Sequence, residues 1–208
     1  MLTSSNDLVF VVEDSPSVRE ALEALLRSAG FRVESFDTPD AFLGRPGRGE
    51  ASCLVLDIEL PGQTGLELQE RIANSHEHVP IVFITGHADV PRSVRAMKAG
   101  AVEFLTKPFE DAALLEGIQR ALSRSREVLR HHAETDRLTE RYQKLSPRER
   151  QVMRLVISGM LNKQVAAELG TREITVKIQR GKLMRKMQAA SLPDLVRMAA
   201  TLGIAPTD

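Results

Sequence analysis

A chain of 208 residues with 42% hydrophobic and 27% charged side chains lies close to globular norms and is long enough for one large core or two small ones. No apolar stretch approaches the roughly 20 residues of a membrane helix. The single cysteine, Cys53, excludes a disulfide framework and fits a reducing, cytoplasmic setting without membrane partners. The first residues carry neither a basic lead nor a small-residue cleavage site, so no secretory signal is read. The formal net charge of zero is unevenly placed. Residues 1–143 hold 16 Lys and Arg against 23 Asp and Glu, a balance of −7, whereas residues 144–208 hold 12 against 5, a balance of +7. A basic segment of that size points to a polyanion, and the acidic part points to a cation site or a repulsive surface.

In chain order, the apolar run LVFVV (8–12) is followed by SVREALEALLRSAG, whose Leu22, Leu25, Leu26 and Ala29 form a helical stripe that Gly30 ends as a left-handed cap. RVESF, DAFL, CLVLDI (53–58), GLELQERIAN, IVFIT (81–85), VRAMKAG and EFLT (103–106) continue the pattern, so strand and helix alternate five times. The strand candidates are continuously apolar, as expected when helices cover both faces of a parallel sheet. The expectation is an α/β doubly wound, five-stranded parallel sheet of flavodoxin-like topology. Beyond Glu110 the periodicity becomes helical at Leu115, Ile118, Leu122 and Leu129, with no proline or glycine between Gly117 and Pro147. One helix from about 110 to 142 is predicted, its second half too polar to bury and read as a helical linker. The remainder reads as a small all-α bundle broken at Gly159 and Gly170. Domains are placed at 1–123, 124–143 (linker) and 144–208.

Chemistry in an open α/β sheet gathers at the carboxyl ends of the strands. The predicted ends carry Glu13 and Asp14, Asp57, Thr85, and Lys107 followed by Pro108. Carboxylates clustered on one rim repel unless a hard divalent cation binds them, and an oxygen-only donor set suits Mg²⁺. An ammonium and a hydroxyl beside them complete a pocket for a phosphoryl group. Joint occurrence on four strand ends outweighs the reading of each as an ordinary turn residue. Over about residues 7–123 the chain resembles the phosphoacceptor receiver domain of two-component response regulators, of the FixJ/NarL type. The resemblance rests on Glu13-Asp14, Asp57 in VLDIELPGQTGLEL, Thr85 in TGHADVPRSVRAMKAGAVEFLTKPF, and Lys107-Pro108. It implies that Asp57 takes a phosphoryl group from a sensor histidine kinase and that Glu13, Asp14, Asp57 and the Glu59 carbonyl hold Mg²⁺. It further implies that Thr85 and Lys107 contact the phosphoryl oxygens, that Phe104 turns inward on activation, and that Lys107-Pro108 is cis. Glu13 departs from the more usual aspartate. Cys53 reads as a small core residue, and His87 as a loop residue near Thr85.

In the basic segment, Ser146, Pro147 and Glu149 spell a helix start, NKQVAAELG begins at Asn162, and Gly170 makes the turn into TREITVKIQRGKLMRKM. Ile174, Ile178 and Met184 or Leu183 are expected to face the bundle, and Lys177, Arg180 and Lys182 to point outward. Met153, Met160, Met184, Met187 and Met198 read as core filling, and His131-His132 as solvated. From 145 to about 203 the segment resembles the LuxR-type helix-turn-helix. That resemblance implies contacts to promoter double-stranded DNA from Thr175, Lys177, Ile178, Arg180, Gly181 and Lys182, and a homodimer when phosphorylated. It also admits RNA polymerase as a partner. Gln179 stands where the family often has histidine, and Gly181 costs about 1 kcal/mol in a helix interior. The implied function is a phosphorylation-controlled transcription regulator and not an enzyme. Two rivals remain: an Asp57-nucleophile phosphatase of the haloacid-dehalogenase type, and a phospho-switched docking module without DNA binding.

Overall fold

The computed structural model describes residues 7–47, 49–74, 79–87 and 90–205. The start of the segment read for a secretory signal, residues 1–6, lies outside them. Five strands run β1 (Leu8–Val12), β2 (Arg32–Phe36), β3 (Ser52–Asp57), β4 (Ile81–Thr85) and β5 (Glu103–Thr106). They form one sheet in the order β2-β1-β3-β4-β5, with every pairing parallel. The helices are α1 (Pro16–Ser28), α2 (Pro39–Leu43), α3 (Gly65–Ala73), α4 (Val90–Lys98), α5 (Asp111–Gln143), α6 (Pro147–Ile157), α7 (Asn162–Glu168), α8 (Glu173–Met187) and α9 (Leu192–Thr201). None of the described helices is long and apolar enough to cross a membrane.

The period-2 geometry of the strands splits the N-terminal core into two layers. Leu8, Phe10, Val12, Leu54, Leu56 and Phe83 point to one face and pack with Phe42 of α2, Leu66, Leu68 and Ile72 of α3, and Ala96 of α4. Val9, Val11, Cys53, Val55, Val82 and Ile84 point to the other and meet Leu22 and Leu26 of α1 and Leu114, Ile118 and Leu122 of α5. Both faces are therefore dry, which is why β1 is apolar throughout and β3 and β4 are apolar apart from Ser52 and the carboxyl-end residues Asp57 and Thr85. The edge strands β2 and β5 are only partly buried and keep Arg32, Glu34 and Glu103. Cys53 lies wholly in this core, and burial pushes its thiol well above the ordinary range, as an inert packing residue requires. Ser125 of α5 anchors the helix by accepting the Ser52 N–H at 3.1 Å.

The chain divides into two compact units, Met1–Arg130 and His131–Asp208, and the division falls inside α5. In the C-terminal unit, Leu145, Val152, Met153, Val156, Val165, Val176, Leu183, Met187 and Leu195 form the core. Glu149 closes a capping box at the start of α6: Ser146 accepts the Glu149 N–H, and the Glu149 carboxylate accepts the Ser146 N–H at 2.8 Å and the Lys186 ammonium at 2.6 Å. Burial works against the charged form of Glu149, but Lys186 and the Ser146 donors outweigh it and hold the carboxyl below its ordinary value. The depressed group stabilises the fold above the unfolded-state pKa, and that contribution disappears as pH falls through the lower folded-state value. Glu149→Gln, which keeps the size and loses the ion pair, is expected to cost this unit about 1–2 kcal/mol near neutral pH. Urea titrations of parent and variant should converge as pH falls from the ordinary glutamate value of 4.5 through the lower folded-state one, and a gap unchanged at low pH would show the loss to be one of packing.

Candidate functional site

Strand order reverses between β1 and β3, which makes the crevice beyond their carboxyl ends the switch point of the sheet. The register pairs Val12 with Leu56, so Glu13 and Asp14 emerge beside Asp57. Asp57 itself pairs with Ile84, and Thr85 with Thr106, which sets Thr85 and Lys107 on the same rim. The Lys107 N–H donates to the Thr85 carbonyl at 2.7 Å, and the Lys107-Pro108 peptide is cis.

The Lys107 ammonium donates at 2.7 Å to both Glu13 Oε2 and Asp57 Oδ2. The other Asp57 oxygen, Oδ1, accepts the Glu59 N–H at 3.1 Å. Glu13 and Asp57 are buried, and Asp14 is partly exposed. Burial raises the Glu13 carboxyl above its ordinary value, assisted by the negative charge of Asp57 and opposed by Lys107. Burial disfavours the charged form of Lys107 too, but the two carboxylates it bridges keep it above the ordinary lysine value. One oxygen from each of Glu13, Asp14 and Asp57 lies within 4.8 Å of the others. Three carboxylates against a single ammonium leave an excess of negative charge among hard oxygen donors, which fits a Mg²⁺ site.

Three supports of this rim were not read from the sequence. Arg19, in the first turns of α1, donates to the backbone carbonyls of Glu13 at 2.8 Å and Asp14 at 3.3 Å. Gly65 opens α3 so close to the end of β3 that a Cβ there would stand 2.3 Å from the Asp57 carbonyl oxygen. The Glu59 carboxylate meets His87 Nδ1 at 3.1 Å and Arg92 at 3.6 Å. Thr85 is buried, and its hydroxyl donates to the His87 carbonyl and accepts the His87 N–H, both at 3.2 Å. Phe104 is half-buried against Phe83, with ring centroids 6.4 Å apart. The structure thus joins Glu13, Asp57 and Lys107 directly, brings an Asp14 oxygen within 4.8 Å of the other two carboxylates, and leaves Thr85 on the same rim bonded to its own loop.

In the C-terminal unit, α7, the turn at Gly170 and α8 make the helix-turn-helix. Lys177, Ile178, Gly181 and Lys182 are exposed, and Thr175 is half-buried. Arg180 is also half-buried and donates to Asn162 Oδ1 at 3.2 Å, tying α8 to the start of α7. The expectation that Ile174 and Ile178 face the bundle is corrected: they are 60% and 54% exposed. Val176, Leu183 and Met187 are buried instead, and Met184 half-buried. Val176, Leu183 and Met187 stand seven and four residues apart with Gln179 and Arg180 in the gap, so the broken stripe was hidden behind the more regular Ile174/Ile178 pair.

Residues 9–119 match the family described as the response regulator receiver domain, and residues 143–199 match bacterial regulatory proteins of the luxR family. The chain belongs to the response regulators. It is 50% identical over 201 residues to nodulation protein W of Bradyrhizobium diazoefficiens, covering 97% of this chain and 88% of that protein. It is 42% identical over 200 residues to the transcriptional regulatory protein FixJ of Azorhizobium caulinodans, covering 96% and 95%. Among solved structures it resembles the response regulator StyR, with TM-score 0.83 and 48% identity over 93% of this chain and 98% of that one. Membership carries the receiver fold, the LuxR-type DNA-binding domain and regulation of transcription, and implies a sensor kinase and DNA as partners.

Proposed function

We propose that Asp57 accepts a phosphoryl group from a sensor histidine kinase and that its phosphorylation controls pairing of the chain and binding of the C-terminal domain to promoter DNA in the cytoplasm. The observation that carries this reading is the Lys107 ammonium held at 2.7 Å from both Glu13 and Asp57 at the switch point of the sheet. In the transfer, an Asp57 oxygen forms a bond to phosphorus while the bond from phosphorus to the donor nitrogen breaks. The Glu59 N–H and Lys107 orient the carboxylate, and Lys107 is placed to pair with the transferred group once that group carries the charge. Glu13, Asp14, Asp57 and the Glu59 carbonyl are the Mg²⁺ ligands in this reading. The ion, when bound, offsets the charge of nucleophile and phosphoryl oxygens. Thr85 exchanges its bonds to His87 for the phosphoryl group, and Phe104 closes toward the core behind it.

A phosphatase of the haloacid-dehalogenase type would use Glu59 as an acid serving Asp57, and that carboxylate is engaged by His87 and Arg92 instead. The test of the regulator reading is incubation of the full chain with a labelled small phosphodonor. Acid-stable, base-labile label requiring Mg²⁺ is expected, as for an acyl phosphate; absence of label with Mg²⁺ present overturns the reading.

Lys177, Arg180 and Lys182 remain the proposed cationic DNA contacts. Lys177→Ala is expected to weaken binding to every sequence and, if the contact is to phosphate alone, to flatten the dependence of log affinity on log salt by about 0.9. Fluorescence anisotropy at several salt concentrations measures this; a parallel line at unchanged affinity removes Lys177 from the interface.

A further inference from the structure

Helix α8 carries apolar side chains on two opposite faces. Val176, Leu183 and Met187 fill the core, whereas Ile174, Ile178, Gly181 and Arg185, spaced four, three and four residues apart, lie along the outer face. Neither isoleucine belongs to the core of the C-terminal unit, and both expose more than half of their surface. Gly181 is equally unexplained from within. A Cβ there would meet nothing within 4 Å, and the backbone is helical rather than left-handed, so neither packing nor conformation demands the poorest helix former but proline. The edges of the same face are cationic and exposed, at Lys177 on one side and Lys182 on the other. An apolar strip, slender at Gly181 and flanked by cations, is complementary to a groove whose walls are phosphates and whose floor carries an apolar group. In the major groove of DNA that group is the thymine 5-methyl.

We propose that Ile174 and Ile178 read thymine methyl groups in the major groove, and that Gly181 lets the α8 backbone seat close enough to reach them. The inference rests on the DNA-binding reading of this domain and adds the chemistry of the preferred bases. Lys177 and Lys182 then supply attraction without sequence preference, and the isoleucines supply preference without charge.

The test uses the full chain and a duplex selected by it from random DNA. Each thymine of the duplex is replaced in turn by uracil, which removes the methyl and keeps base pairing. The parent is expected to lose about fourfold at one or two thymines per half-site, the worth of one buried methyl. Ile174→Ala should bind the thymine duplex more weakly by that factor and be indifferent to uracil at one of those positions, with Ile178→Ala indifferent at the neighbouring one. Lys177→Ala should weaken binding while leaving the thymine-to-uracil ratio intact. Gly181→Ala should raise the thermal midpoint of the domain by about 4 °C and still weaken duplex binding. Parent binding indifferent to uracil everywhere, or an Ile174→Ala variant with the parent's full uracil sensitivity, overturns the proposal while leaving DNA binding in place. Failure to bind any DNA, random sequence included, overturns both.

Discussion

Asp57→Asn is expected to reduce Mg²⁺-dependent phosphoryl labelling to background, with the fold intact. An asparagine oxygen can still accept the Glu59 N–H that now reaches Asp57 Oδ1, and a buried side chain of the same shape leaves the strand end packed as before. What disappears is the anionic oxygen proposed to attack phosphorus and one of the three clustered carboxylates proposed to hold the cation. Lys107 keeps Glu13 as partner, so no ammonium is left buried alone. Removing one of several mutually repelling carboxylates also relieves strain in the unloaded rim, so the thermal midpoint should hold or rise. Labelling with a small phosphodonor, followed by intact-mass analysis, measures the outcome. Label at the parent's level in the variant would place the acceptor elsewhere, and a collapsed midpoint would mean that the carboxylate serves the fold.

The parts of this molecule that were legible in the sequence are those fixed by local pattern. The runs 8–12, 53–58 and 81–85 announce central parallel strands because helices on both faces require apolar side chains along the strand, with Asp57 and Thr85 the polar exceptions at the carboxyl ends. Ser146, Pro147 and Glu149 announce the start of α6 because a capping box is satisfied within four residues. The acidic rim was legible because strand ends of a doubly wound sheet converge whatever the loops do. Contacts that depend on register between distant elements were not. Arg19 reaches back to the carbonyls of Glu13 and Asp14 only because α1 leaves β1 at one particular angle, and nothing in SVREALEALL distinguishes it from a solvated arginine. Gly65 looks like part of a turn until the start of α3 is seen lying on the Asp57 carbonyl. The face of α8 failed for a physical reason: in a helix with apolar residues on two opposite faces, periodicity offers two stripes, and only the positions of α6 and α7 decide which one is buried.

A phosphoryl mimic such as beryllofluoride is expected to double the sedimenting mass of the chain and raise its affinity for a two-half-site duplex by roughly 10². The proposed pairing surface is the outer side of α4. Val90, Val94 and Met97 are 74%, 44% and 45% exposed there, on a helix that buries Ala96 alone. The surface adjoins β5, which carries Phe104 and leads into Lys107, so a change at the phosphoryl site has a short packed route to it. Pairing two receivers makes the second DNA contact intramolecular, and the gain comes from effective concentration without any new contact to DNA. Two-fold helix-turn-helix pairs place their half-sites about 10 bp apart, so duplexes with spacing altered by 5 bp should lose most of the gain. Val94→Asp puts a charge on the exposed face without touching the core. It should accept label normally, remain monomeric with the mimic, and bind the duplex with the affinity of the unphosphorylated parent. If the mimic raises affinity while parent and variant both sediment as monomers, free and on DNA, then activation proceeds by relief of an inhibitory contact within one chain, and the pairing surface on α4 is ruled out.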